Sequence, residues 1–265
     1  ALKNLEEAIL RPHGIILVTG PTGSGKTTTL YSVLSLINTV KVNVMTIEDP
    51  VEYQIPGVNQ VQINPAAGLT FASALRSFLR QDPNVIMVGE VRDEETAALA
   101  IQAALTGHLV FSSLHTNNAS GALPRLLDMQ AEPYLLTSTI TAVVGQRVVR
   151  KICLSCKKPY EPPAEVVKNI EATLGKLWQK PVKVMLNKGE GCDQCGHGGY
   201  QGRIGVFEVL SVSEKIGRLI LERAPAQEIE KQAVEEGMIT MKQDGYLKMV
   251  EGITTIEEVL RVAQE

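Results

Sequence analysis

The octapeptide Gly20-Pro21-Thr22-Gly23-Ser24-Gly25-Lys26-Thr27 constrains this chain more than any other stretch. It fits G-x-x-x-x-G-K-[ST] at every position, a pattern whose structural context is a strand before it and a helix after it. Glycines let the backbone wrap so that its N–H groups point inward at phosphate oxygens. Lys26 can then reach β- and γ-phosphates, and the Thr27 hydroxyl is placed to ligate Mg²⁺. The N-terminus of the following helix adds partial positive charge. The flanks agree: Ile15–Thr19 is a short apolar run, and Thr27–Asn38 puts Leu30, Val33, Leu34 and Ile37 on one helical face. Gly20 through Thr28 is the candidate nucleotide-binding segment, with ATP and Mg²⁺ as its ligands.

Strand-like and helical patterns alternate as far as residue 150. Val42–Ile47, Val85–Val88 and Leu109–Leu114 read as strands, with Val58–Ile63 a weaker one. Phe71–Arg80, Glu94–Leu105 and Tyr134–Val149 read as helices. Apolar strands separated by helices predict an α/β fold with a mainly parallel, doubly wound sheet. At Lys151 the character changes. Residues 151–205 hold two cysteine pairs. Residues 206–265 hold helical patterns at Glu214–Glu222, Gln227–Glu236, Thr240–Val250 and Ile256–Ala263, with capping-box spacing at Ser211/Glu214 and Thr255/Glu258. The expected organisation is a P-loop core over 1–150, a metal-binding insertion over 151–205 and a helical subdomain over 206–265.

No apolar run approaches the ~20 residues that span a bilayer. Lys3, Glu6 and Glu7 occupy the place of a signal peptide's apolar core. A cytoplasmic chain is expected, and its Ala start suggests a piece of a longer protein.

A P-loop works with a carboxylate on a nearby strand. Glu90 ends the strand at Val85, at the C-terminal edge where ligands bind in open α/β sheets. Gly89 stands where many such sites place a metal-organising Asp. An ordinary strand-end Glu fits the same pattern. The run Glu48-Asp49-Pro50-Val51-Glu52 crowds three carboxylates, which repel one another unless a cation such as Mg²⁺ is near. Glu48 is the candidate second carboxylate, and a solvated loop is the plainer alternative. His115 ends another strand at the same edge and can contact a γ-phosphate. His108 starts that strand, so packing or capping suits it better. Arg76 and Arg80 share a helix face. They suit phosphate neutralisation, within the chain or across a subunit boundary, or a salt-bridged surface.

Cys153, Cys156, Cys192 and Cys195 form two C-x-x-C pairs separated by 35 residues. Four thiolates complete the tetrahedral shell of structural Zn²⁺, and no Cys is left over. Disulfides or a redox pair are the alternatives, and an Fe–S cluster fits less well. His197 is close by but not needed.

Several of these segments together resemble the secretion ATPases. They are GPTGSGKTTTLY, Thr46–Tyr53, Leu79–Pro83 leading into Gly89–Asp93, and Thr106–Asn117. More narrowly they resemble the type II secretion and type IV pilus assembly ATPases of bacteria. The tetracysteine insertion, Gly199–Arg203 and Gly252–Val259 are similar to that family's C-terminal part. The resemblance implies a RecA-like, ATP-hydrolysing domain acting as a homo-hexamer. It further implies docking on an inner-membrane platform protein, peripheral to the cytoplasmic face, to drive pilin or pseudopilin polymerisation. Glu90 would activate water, Glu48 would assist, and His115 would couple γ-phosphate loss to domain movement. Pilus retraction ATPases usually lack the insertion. A nucleic-acid-translocating motor on the same scaffold is the other enzyme reading, and a switch without turnover is the non-enzyme one. A net charge of −3 and 4% aromatic residues argue against a nucleic-acid partner.

Overall fold

The computed structural model describes residues 2–179, 181 and 183–263. The chain runs through α1 (Leu2–Ile9), β1 (Gly14–Thr19), α2 (Lys26–Ile37), β2 (Val44–Glu48), β3 (Asn59–Gln62), α3 (Phe71–Phe78), β4 (Val85–Val88), α4 (Glu94–Leu105) and β5 (Leu109–Leu114). It continues through α5 (Ala122–Asp128), α6 (Pro133–Thr139), β6 (Ile140–Ile152), β7 (Lys157–Tyr160), α7 (Ala164–Leu174), β8 (Leu186–Gly189) and β9 (Tyr200–Ser211). It closes with α8 (Glu214–Leu221), α9 (Ala226–Glu235), α10 (Met241–Val250) and α11 (Ile256–Ala263).

The main sheet has seven strands in the order β3-β2-β4-β5-β1-β6-β9. The pairs β3–β2, β2–β4, β4–β5, β5–β1 and β1–β6 are all parallel. Every residue of β1, β4 and β5 is buried. Central strands covered on both faces read as largely apolar runs without alternation, broken in β5 by Ser112 and Ser113.

The helix expected over Tyr134–Val149 stops at Thr139, and β6 follows. Residues 140–147 are all buried, and the stretch is rich in β-branched Ile, Thr and Val. Such residues are stiff at χ1 and favour a pleated, doubly covered strand over a helix. The cap of α8 is Ser213, whose Oγ accepts from the Ile216 N–H at 3.2 Å; Ser211 belongs to β9. Thr255 Oγ1 does accept from the Glu258 N–H at 3.5 Å, but the Glu258 carboxylate turns to two arginines instead of back to the cap.

Two compact units result, residues 1–145 with 209–238, and residues 146–208 with 239–265. The expected boundaries at 150 and 205 fall inside β6 and β9. Residues 209–238 pack with the first unit because Leu210, Ile216, Ile220 and Ile229 join the core that holds Ile47, Ile86, Val110 and Leu75. The second unit has its own core of Ile170, Leu174, Leu186, Tyr246, Met249 and Val259. Among the described residues, no helix is long and apolar enough to cross a membrane.

Candidate functional site

Parallel register brings four strand ends to one edge. Thr19 pairs with Leu114, Val88 with Ser112, and Ile47 with Val88. The residues that follow these ends are Gly20 after β1, His115 after β5 and Gly89-Glu90 after β4, with Glu48 closing β2. Neighbouring strands lie roughly 4.8 Å apart, so this order lays the candidates side by side.

The loop between β1 and α2 depends on its glycines. Gly23 and Gly25 hold φ of +79° and +88°, a region that side-chain-bearing residues rarely adopt. Gly25 is also the N-cap of α2 and makes no side-chain capping bond, so the cap itself occupies none of the first-turn N–H donors. Lys26 Nζ donates to the carbonyls of Gly20 at 2.8 Å and Pro21 at 3.2 Å. The ammonium is thus tethered over the loop, and phosphate oxygens would compete with those carbonyls for it.

The carboxylate of Glu90 is mostly shielded and meets a guanidinium and an imidazole. Arg92 pairs with it, and His115 Nε2 lies 3.4 Å from its Oε2. Arg92 also lies 3.7 Å from Asp49 Oδ2. Its pKa is raised chiefly by the bond to Glu90, so it stays charged. The backbone beneath is clamped. The Gly89 N–H donates to the Ile47 carbonyl at 2.8 Å and the Val91 N–H to that of Ser113 at 3.0 Å. The Ser113 hydroxyl donates to the Gly89 carbonyl at 2.8 Å. A Cβ on Gly89 would meet the Ile47 oxygen at 3.3 Å, a tight contact.

Glu48 is 3% exposed and heavily bonded. Thr46 Oγ1 donates to its Oε1 at 2.5 Å, Gln60 Nε2 donates to the same oxygen at 3.1 Å, and Tyr31 Oη donates to its Oε2. Three neutral donors are how a buried carboxylate is tolerated without a cation.

Arg76 pairs with Glu95 of α4 at the surface, and Arg80 Nη1 donates to the Arg76 carbonyl at 3.0 Å. His108 Nδ1 lies 2.8 Å from the Ala103 carbonyl at the end of α4, a capping arrangement.

Sequence reasoning missed Arg92, Tyr31 and Gln60. Arg92 had a signal: in an extended segment it shares a side with Glu90 two residues earlier. Tyr31 looks like one more core position on α2.

In the second unit the four Cys Sγ atoms lie within 4.8 Å of one another, the one such metal-holding group among the described residues. Cys153 to Cys192 and Cys156 to Cys195 are 3.9 Å, and Cys192 to Cys195 is 3.7 Å. Tetrahedral Zn²⁺ with Zn–S near 2.3 Å has an S···S edge of about 3.8 Å, so the donor set fits zinc. It does not fit disulfides, whose sulfurs bond at about 2.0 Å. N–H groups of Gly191 and Gly199 donate to Cys156 and Cys195 at 3.3 Å, and that of Cys192 donates to Cys195 at 3.2 Å. The Cys192 N–H bond above all pulls Cys195 down to about 6, whereas desolvation pushes Cys156 up to about 11. Thiols this close cannot all ionise without a cation among them. His197 is turned to Asp193 Oδ1 at 3.2 Å.

A family model described as type II/IV secretion system protein matches residues 1–261. The chain is 48% identical over 262 residues to the type II secretion system ATPase E of Vibrio cholerae, covering 99% of this chain and 51% of that protein. It is 48% identical over 258 residues to the type IV pilus assembly ATPase PilB of Thermus thermophilus, covering 97% of this chain and 29% of that protein. It therefore spans about half or less of these relatives' length. The solved structure of the pilus retraction motor PilT with bound ADP is similar, with a TM-score of 0.72, 32% identity and coverage of 98% of this chain and 63% of that one. A match over nearly every residue, on an α/β fold, means that the chain belongs to the type II/IV secretion system protein family.

Proposed function

We propose that this chain is the ATP-hydrolysing part of a motor that assembles pilin or pseudopilin subunits in a type II secretion or type IV pilus system. The observation that carries the reading is the sheet edge where the phosphate loop lies in line with Glu90, itself held by Arg92 and His115. ATP would supply the γ-phosphoryl group and Mg²⁺ the neutralisation of its charge. Lys26 and the loop N–H groups bind phosphate, and the Thr27 hydroxyl holds the metal. Glu90 orients and deprotonates water. Arg92 and His115 orient Glu90, and His115 is placed to sense the loss of phosphate. Arg76 and Arg80, held at the surface by Glu95 and the Arg76 carbonyl, would reach phosphate from a neighbouring subunit.

Assembly is favoured over retraction by the zinc-compatible cysteine cluster and by the relatives named for assembly and secretion. A homo-hexamer docked on a platform protein at the cytoplasmic face of the inner membrane completes the proposal. Zinc would brace the second unit, since four thiolates leave it no open position for chemistry.

The test is steady-state ATP hydrolysis by the full-length hexamer. Glu90→Gln and Lys26→Ala should each lower kcat at least about a hundredfold, with Glu90→Gln still binding nucleotide. Undiminished turnover in both variants would overturn the assignment.

A further inference from the structure

Tyr31 is fully buried and lies one turn beyond Thr27, on the same face of α2. Its hydroxyl donates to Glu48 Oε2 and accepts the Glu52 N–H at 3.2 Å. Its ring packs edge-on against Tyr53, with centroids 4.7 Å apart. Thr46 and Gln60 both serve the other carboxylate oxygen, Oε1, and both come from the sheet. Of these three donors, Tyr31 alone comes from the helix that follows the phosphate loop.

The same network orders the acidic loop. Gln60 Nε2 donates to the Tyr53 carbonyl at 3.1 Å, and Gln60 Oε1 accepts the Ile55 N–H at 2.6 Å. Gln62 Oε1 accepts the Val51 N–H at 3.3 Å. Asp49, the first residue of this loop, is the second carboxylate facing Arg92. Movement of the loop therefore reaches the cation that orients Glu90.

We propose that Tyr31 is a positioning residue: it fixes the Glu48 carboxylate and the 49–53 loop against the helix that carries Lys26 and Thr27. This rests on the ATP-hydrolysing reading above. Burial, and after it donation to Glu48, push the phenol's pKa up, so Tyr31 keeps its proton and remains a donor. Tyr31→Phe removes the donor to Oε2 and the acceptor for the Glu52 N–H while keeping the ring.

The experiment compares wild type, Tyr31→Phe, Glu48→Gln, the double variant and Glu90→Gln as full-length hexamers. Single-turnover hydrolysis at varied ATP keeps the slow variants measurable. Tyr31→Phe should lower the maximal rate about tenfold, the effect of losing one bond to a charged group, with half-saturating ATP changed less than about twofold. In the Glu48→Gln background the same change should cost less than about twofold, because the two residues act as one unit. If the wild-type hexamer does not hydrolyse ATP, the hydrolase reading itself fails. If Glu90→Gln is inactive and Tyr31→Phe matches wild type, the positioning role is overturned. An equal loss in both backgrounds overturns it too, since Tyr31 would then be acting as general packing.

Discussion

Glu258 offers a stability experiment whose size can be worked from the structure. Its side chain is 2% exposed, yet it accepts four bonds. The Arg150 N–H and Nη2 donate at 2.8 Å, and Arg261 Nε and Nη2 donate at 3.2 and 3.0 Å. Burial by itself would push the carboxyl's pKa up. The bonds from Arg261 and Arg150 outweigh that and carry it from 4.5 down to about 2. That lowering corresponds to about 3 kcal/mol of folding stability at neutral pH. Arg150 and Arg261 are 54% and 48% exposed, so water screens them, and about 2 kcal/mol is the fairer figure. Because the folded-state pKa is the lower one, this stability is present above the unfolded value near 4.5. It is lost as pH falls through the folded value near 2. Trp178, the chain's single tryptophan, packs against the core of the same unit and reports its unfolding. Urea unfolding followed by Trp178 fluorescence should show Glu258→Gln about 2 kcal/mol less stable than the parent at pH 7. The gap should shrink steadily between pH 4.5 and 2. Taking the difference between two chains cancels the other groups that titrate there. A gap that stays constant down to pH 2.5, or one below about 0.5 kcal/mol at pH 7, would refute the reasoning.

Two further outcomes follow from the same geometry. Elemental analysis of protein purified under reducing conditions should find about one zinc per chain, and chelation should raise hydrogen exchange across residues 151–205; metal-free protein with unchanged exchange would refute a structural centre. Gly89→Ala should cost about 1 kcal/mol in thermal unfolding, because its Cβ would crowd the Ile47 carbonyl at 3.3 Å, and a variant as stable as the parent would refute that crowding.

The candidate phosphate loop is legible in the sequence because its chemistry is local: eight consecutive residues carry the glycines, the cation and the hydroxyl. The cysteine centre is legible for a similar reason, since thiolates have few other uses at that spacing. The arrangement around Glu90 and Glu48 is only half legible. Its carboxylates show as strand-end acids, but their partners lie at unrelated distances along the chain. Tyr31 is 17 residues before Glu48, and Gln60 is 12 residues after it. No periodicity marks a core tyrosine as the one whose hydroxyl has a task. Strand β6 is misread because an apolar run buried on both faces carries no period to separate strand from helix. The compact units divide within β6 and β9 because a continuous strand can belong to two cores, whereas composition shifts mark only the cysteine knuckles.

The polar residues of β5 show how the site keeps its register. Ser112 and Ser113 interrupt an otherwise apolar strand and are 0% and 4% exposed, a burial that is costly for unpaired hydroxyls. Both are paired, to the last residue of β4 and the one after it: Ser112 Oγ donates to the Val88 carbonyl at 2.7 Å and Ser113 Oγ to that of Gly89 at 2.8 Å. These bonds duplicate the ladder at the point where β4 gives way to Glu90. A slip of one residue between β4 and β5 would send Glu90 to the opposite face. Arg92 has the same parity and would go with it, while His115, at the end of β5, would stay behind. The cluster survives only in the register that the two serines hold. Buried hydroxyls in the central strand therefore belong to the positioning of Glu90 as much as to stability.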